Sequence, residues 1–227
     1  MDQFVCVRVV QAWGMDLSLF QFDWQATWMV FLMNSERVIY GRYGRSSENT
    51  VEGLRTALEG ALELHKNYPA NKAELEGKAG TSLPWKTPEA LPAIQEKGKY
   101  REAESKGGCI HCHNVLSGVT KSFRAAGQAV PERFAAPYPA PERMGVSLDT
   151  KERATVTSVT AGSPAEKGGL QRGDKILRLG GQPILSIADV QWVLFSGPGS
   201  GPLKVEFDRA GQKLDAMVTL PPGWRTR

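Results

Sequence analysis

Cysteine and histidine are scarce in this chain of 227 residues: three of each, Cys6, Cys109 and Cys112, and His65, His111 and His113. So few thiols in so long a chain exclude a disulfide-stapled miniprotein. Long apolar runs are missing as well. The run nearest the start, Trp-Met-Val-Phe-Leu-Met at 28–33, falls far short of the ~20 residues a membrane-spanning helix needs. The first ten residues lack the basic start, apolar stretch and small-residue cleavage site of a secretory signal. They read as a cytoplasmic start, or as a mature form or fragment of a longer protein. No charge of one sign dominates: 28 Lys and Arg face 24 Asp and Glu, a net +4. The excess is spread along the chain, with no basic run interleaved with aromatics, so the surface reads as mixed and solvated and no nucleic-acid partner is expected. What is present is ordinary globular material, 41% apolar and 23% charged, and the length suits two compact units better than one.

Residues 4–10, Phe-Val-Cys-Val-Arg-Val-Val, are mostly β-branched and read as a buried strand, with Cys6 an inert thiol inside it. The 28–33 run reads as a second strand. Asn34-Ser35-Glu36 supplies a turn, and residues 38–43 read as the antiparallel return. Asn49 with Glu52 three residues on resembles a capping box, and predicts a helix to about Lys66 with Leu54, Leu58, Ala61, Leu62 and His65 on one face. Residues 67–98, with four prolines and many charges, read as a domain boundary or long surface connection. Residues 93–106 read as a charged helix. Four more prolines in 130–141 predict a stiff linker with polyproline character. Beyond it, strands are expected at 144–148, 155–159, 175–179, 203–207 and 213–220. Ser163-Pro164 opens one short helix, and Ser186 with Asp189 caps another that runs to about Phe195.

Residues 162–177, Gly-Ser-Pro-Ala-Glu-Lys-Gly-Gly-Leu-Gln-Arg-Gly-Asp-Lys-Ile-Leu, followed by Gly-Gln-Pro-Ile at 181–184 and Ser-Ile-Ala-Asp-Val at 186–190, resemble the bacterial PDZ signature. The resemblance implies a groove between a strand and a helix that takes an extended peptide, usually a C-terminus, as an added strand. By matching positions, backbone amides of Arg143, Met144, Gly145 and Val146 would receive the carboxylate, and Ala188 and Trp192 would form the helix wall. A groove occluded, or used to pack another part of the same chain, is the alternative. PDZ modules often accompany serine proteases. No Gly-Asn-Ser-Gly-Gly or Gly-x-Ser-x-Gly turn occurs and histidine is too scarce for a conventional triad, so a binding protein is expected rather than a hydrolase.

Residues 4–66 resemble the C-terminal part of a thioredoxin-like domain: strand, connector, antiparallel pair, final helix. The Cys-x-x-Cys of that family is absent here, and Ala26-Thr27-Trp28 stands where its cis-proline would be, so redox catalysis is not carried over to this segment.

Cys109-Ile110-His111-Cys112-His113 matches Cys-x-x-Cys-His, the attachment site of c-type haem. Two thiols on one turn add across two vinyl groups of a porphyrin, which sets the adjacent histidine under the iron. In a shuffled chain of this composition the pattern would arise roughly 3 times in 10,000. The resemblance makes Cys109 and Cys112 thioether positions and His113 the axial ligand. Met144 and His65 are candidates for a distal ligand, and a five-coordinate or water-ligated iron is the alternative. The stretch from the motif to residue 142 is too short for a complete class I cytochrome c fold. Three rivals share these residues: a redox dithiol of Cys109 and Cys112 with a thiolate-stabilising His, a zinc site using the two cysteines with His111, His113 or His65, and a structural disulfide.

The expected fold class is α+β: a partial thioredoxin-like ββα segment over 1–68, a short haem-c-type linker segment over 69–141, and a C-terminal, β-barrel-like PDZ domain over 142–222. The expected function is a periplasmic or otherwise extracytoplasmic redox protein, its haem c passing electrons or sensing redox state and its PDZ groove docking a protein C-terminus, with the export signal outside this sequence. The alternatives are a non-catalytic PDZ scaffold whose cysteine pair is structural or holds zinc, and a thiol-disulfide oxidoreductase.

Overall fold

The computed structural model describes residues 3–45, 49–95 and 110–226. The first hairpin forms from the run at 28–33 and its return: β1 (Val30–Met33) pairs antiparallel with β2 (Ile39–Tyr43). Its turn is closed by Asn34, whose side chain accepts from the Val38 amide at 2.9 Å. Helix α1 (Val51–Lys66) follows, capped by Thr50 accepting from Gly53 N at 3.0 Å, rather than by Asn49, which donates back to Arg45 O. The buried face of α1 is built from small residues, Gly53, Ala57, Gly60 and Ala61. That lets the helix approach closely: a Cβ at Gly60 would lie 2.7 Å from Leu185 of the C-terminal region. Leu32, Tyr40, Tyr43, Ala57, Ala61 and Leu75 form a small core that the same Leu185 completes.

The strand expected at 4–10 is not there. Those residues form no strand and lie in the open, Val5 94% and Val7 83% exposed, and Cys6 is a free, exposed thiol rather than a buried one. β-branched composition favours a strand only where a neighbouring strand supplies the ladder and a face to pack against, and among the described residues neither reaches this segment. Burial resumes with Ala12, Leu17, Phe22 and Trp24.

The proline-rich stretches are folded and packed. Residues 67–95 contain α2 (Lys72–Leu75), two short 3-10 turns and α3 (Pro92–Gln95), with Leu75, Lys78, Leu91 and Ile94 buried. The rest of the helix expected over 93–106 lies outside the described residues. Helix α4 (Cys112–Ala125) buries Val115, Leu116, Val119 and Phe123 and packs on α3, with Gly118 against Leu91. After α4 the chain makes α5 (Glu132–Ala135) and a 3-10 turn, Pro141–Arg143. Phe134 and Tyr138 are buried in the main core, so this polyproline-like stretch is an inner strap, not a free spacer.

The C-terminal region is a mixed α/β unit. β3 (Val146–Leu148) pairs antiparallel with β4 (Val156–Val159). A second sheet has the order β6-β5-β7-β8, from β5 (Lys175–Leu179), β6 (Gln182–Pro183), β7 (Gly201–Arg209) and β8 (Gln212–Leu220). Ser163 caps α6 (Pro164–Lys167) with Pro164 at its first position. Ser186 caps α7 (Ile187–Ser196). Among the described residues, no helix is long and apolar enough to cross a membrane.

Candidate functional site

Two features meet α7 directly, the hairpin β1–β2 and the strap before β3, and the strap in turn touches the strand β3. The chain enters β3 through a tight turn in which Arg143 N, Met144 N and Gly145 N donate to the carbonyls of Ala140, Pro141 and Glu142. Gly145 has φ +99°, and a Cβ there would collide with Ser163, so the turn requires glycine. Thr160 N donates to Gly145 O, which makes Val146 and Val159 a non-hydrogen-bonded pair. Val146 therefore turns its amide and carbonyl toward the other edge of β3. Among the described residues no strand pairs with that edge. Met144, Val146 and Leu148 are buried, and Arg143 is exposed.

Every residue of α7 from 187 to 195 is buried. A helix that is apolar all round has partners all round, and here different faces meet different neighbours. On one face Asp189 is wholly buried: Oδ1 accepts from Arg42 N (3.1 Å) and lies 2.9 Å from Lys78 Nζ, and Oδ2 accepts from Leu185 N (3.0 Å). The Arg42 guanidinium lies 3.9 Å over the Trp192 ring and donates to Gln21 O and Lys78 O. The Ser186 hydroxyl donates to Arg42 O, and Trp192 Nε1 donates to Gly77 O. Burial holds Lys78 down to about 8 and Arg42 down to about 10, each partly offset by the Asp189 carboxylate. Trp192 thus faces the hairpin and the 77–78 turn. Ala188 lines a small cleft at the head of α7, shared with Tyr43, Gly44 and Gly53 from the N-terminal side and Asp149 and Thr150 from the strand side.

On the adjacent face stand Gln191 and Phe195, four residues apart and so one above the other. Tyr138 stacks on Phe195 with ring centroids 4.1 Å apart and planes 14° off parallel. Its carbonyl accepts from Gln191 Nε2 at 3.2 Å. Phe134 meets Phe195 edge-on, and the 141–143 turn touches both α7 and β3. Neither Gln191, Phe195 nor Tyr138 stood out in the sequence. The legible sign was α7 itself, whose 187–195 stretch has only Asp189 and Gln191 as polar residues and hence no solvent face.

The Cys-x-x-Cys-His motif straddles the start of α4. Cys109 lies outside the described residues. His111 is the N-cap residue, Cys112 opens the helix half-buried against the main core, and His113 is exposed. The rings of His111 and His113 stack, planes 3° apart at 5.5 Å. Burial pushes the Cys112 thiol up. The distal candidates lie elsewhere: Met144 is wholly buried at the entry to β3, and His65 Nδ1 shares a 2.7 Å hydrogen bond with the Tyr40 hydroxyl beside the small N-terminal core. Among the described residues no three His, Cys, Asp or Glu side chains gather as a metal site.

The PDZ domain family model matches residues 155–209, from β4 through β7 and including α7. This region is a PDZ domain. The chain is similar to a probable periplasmic serine endoprotease, DegP-like, of Pseudomonas putida (strain ATCC 700007), 40% identical over 77 residues, which are 33% of this chain and 16% of that protein. It is also similar to the regulator of sigma-E protease RseP of Salmonella typhimurium (strain 14028s), 38% identical over 69 residues, 28% of this chain and 14% of that protein. The chain therefore spans only a small part of the length of these relatives. A solved structure of the HtrA3 PDZ domain bound to a phage-derived ligand matches 37% of this chain and 91% of that one at 23% identity, with a TM-score of 0.30.

Proposed function

We propose that the chain docks the free C-terminus of a protein or peptide at its PDZ domain, in an extracytoplasmic compartment, and acts by binding rather than by hydrolysis. The observation that carries this is β3: among the described residues no strand pairs with its outer edge, Val146 presents backbone groups along it, and the Gly145 turn stands at its head. An incoming strand would satisfy that edge and gain main-chain hydrogen bonds. The extracytoplasmic setting is supported by the periplasmic assignment in the name of the DegP-like relative. Fluorescence anisotropy of labelled pentapeptides against the full chain tests the docking. A free carboxylate is expected to bind and its amidated twin to bind at least about tenfold more weakly; equal binding by the two would refute carboxylate recognition.

A second reading rests on the 109–113 motif: Cys109 and Cys112 hold a c-type haem and His113 ligates its iron. The exposed His113 directly after Cys112 on the first turn of α4 fits the order of groups that attachment needs. The buried face of α4 is already filled, with Leu91, Ile94, Trp85 and Phe134 against it. Cys109, Cys112 and the exposed His113 are the residues that would hold the group. When bound, the haem supplies a one-electron couple. Co-expression with haem-c maturation machinery is expected to give a coloured chain with a covalent haem mass. A colourless, unmodified chain overturns the haem reading, and stoichiometric zinc or a reversible two-thiol titration would then assign the pair to its rivals.

A further inference from the structure

We infer that Tyr138 is a resident plug in the side-chain pocket of the PDZ groove, and that the peptide this groove accepts is one whose terminal residue is aromatic. The inference rests on the docking function proposed above. Tyr138 occupies α7 as a ligand residue would: its ring lies flat on Phe195, its carbonyl accepts from Gln191, and it is buried. Three residues further on, the Pro141–Arg143 turn contacts both walls, and its carbonyls and that of Ala140 hold the amides of Arg143, Met144 and Gly145. The strap thus covers the Gln191 and Phe195 face of α7 and engages the amides expected to receive a carboxylate at once.

The plug is held at a cost. Tyr138 has φ +47°, a left-handed backbone that a bulky aromatic rarely adopts. Its hydroxyl is buried with no hydrogen-bond partner. Both penalties oppose the closed arrangement and vanish when the strap swings out. A peptide ending in an aromatic residue would restore the stack on Phe195 and the bond from Gln191, while its carboxylate would take the amides released by the turn. Groove opening and peptide binding are then one exchange, and ligand affinity is set by how well Tyr138 holds its seat.

The test measures binding of a labelled pentapeptide ending in Phe with a free carboxylate to the full chain and two variants. Tyr138→Gly removes the plug and accepts the positive φ; it is expected to bind about tenfold or more tighter than the parent chain. Tyr138→Phe keeps the ring but removes the orphaned hydroxyl; it strengthens the plug and is expected to bind a few-fold more weakly, with a higher melting temperature. Opposite signs from the two substitutions are the signature of a plug, which a structural role alone would not produce. Equal affinity in all three chains overturns the plug while leaving the docking function intact. No binding by any of the three, under conditions where Tyr138→Phe is folded by circular dichroism, overturns the docking reading itself. Should Tyr138→Gly fail to fold, the affinity loss in Tyr138→Phe decides the matter: an unchanged value refutes the plug. A peptide ending in Ala that matches the Phe-ended one would refute the aromatic preference.

Discussion

Two apolar stretches of similar character meet opposite fates in this molecule. Residues 187–195 of α7 and residues 4–10 are each dominated by Val, Ile, Leu or Phe with one or two polar interruptions. The first is buried on every side and holds the molecule together; the second stands in solvent along nearly its whole length. The difference lies in what each finds around it. α7 closes its own backbone hydrogen bonds and needs only side-chain neighbours, which the hairpin, the strap and the PDZ sheets supply on separate faces. Residues 4–10 need another strand before their composition can be satisfied. Apolarity records a demand for burial, and only the partners decide whether it is met.

The sharpest way to break the contrast is to attack what seats α7. Asp189→Ala removes the carboxylate facing Lys78 and strips the Arg42 and Leu185 amides of their acceptor. An uncompensated buried ammonium is left behind, and a loss of roughly 3–5 kcal/mol in urea unfolding is expected. A loss under ~1 kcal/mol would show that the hairpin is not seated through this cluster. Leu185→Ala comes next. This side chain plugs the space between β2 and α1, where the glycines at 41 and 60 leave room for it. Its removal opens a cavity that rigid helix and strand backbones cannot refill, and should cost about 3 kcal/mol. Both substitutions fall on the PDZ side but should loosen the N-terminal hairpin, which hydrogen exchange of β2 would report.

A smaller effect tests the same seat through protons. Folded Lys78 gives up its proton near pH 8, whereas unfolded lysine holds it to about 10.5. Between those values the unfolded chain binds more protons, so this group makes the folded state more stable as pH rises, by at most about 1.4 kcal/mol per pH unit. Arg42, held to about 10, acts in the same direction only at higher pH. Asp189 and Arg153 also face Lys78. Stability measured from pH 8 to 9.5 should therefore rise less steeply in Lys78→Met than in the parent chain. Identical slopes would mean that Lys78 keeps its proton through its ion pair across that range.

Much of the PDZ unit was legible. The caps at Ser163 and Ser186 and the strand runs at 175–179 and 213–220 answer to local chemistry, and local chemistry is what a sequence displays. The first hairpin and α1 were legible for the same reason. The strap was not, because Pro-Tyr-Pro reads as an extended spacer until a partner surface turns the tyrosine inward. Lys78, Arg42 and Asp189 were invisible as a set: they are 36 and 111 residues apart along the chain, and nothing in the local pattern distinguishes a lysine bound for the interior from one on the surface. Which face of α7 meets which neighbour was not legible either. Ala188 and Trp192 lie on the same helix as Gln191 and Phe195, yet the first pair meets the hairpin and the second meets the strap, a difference of a fraction of a helical turn.

The other half of the comparison predicts a near-absence of effect. If residues 4–10 have no partner in the chain, Val7→Ser should change unfolding stability by less than ~0.5 kcal/mol, the ordinary range for a surface substitution. The same exposure separates two thiols. Cys6 is open to solvent, whereas Cys112 is half-buried and its thiol is pushed up by burial. The thiolate is the reacting species, so at pH 7.5 limiting iodoacetamide should label Cys6 well before Cys112, as peptide mapping by mass spectrometry would show. Protection of Cys6 together with a large penalty for Val7→Ser would mean that the arm has a strand partner in solution. The contrast with α7 would then narrow to a difference in which molecule supplies the neighbour.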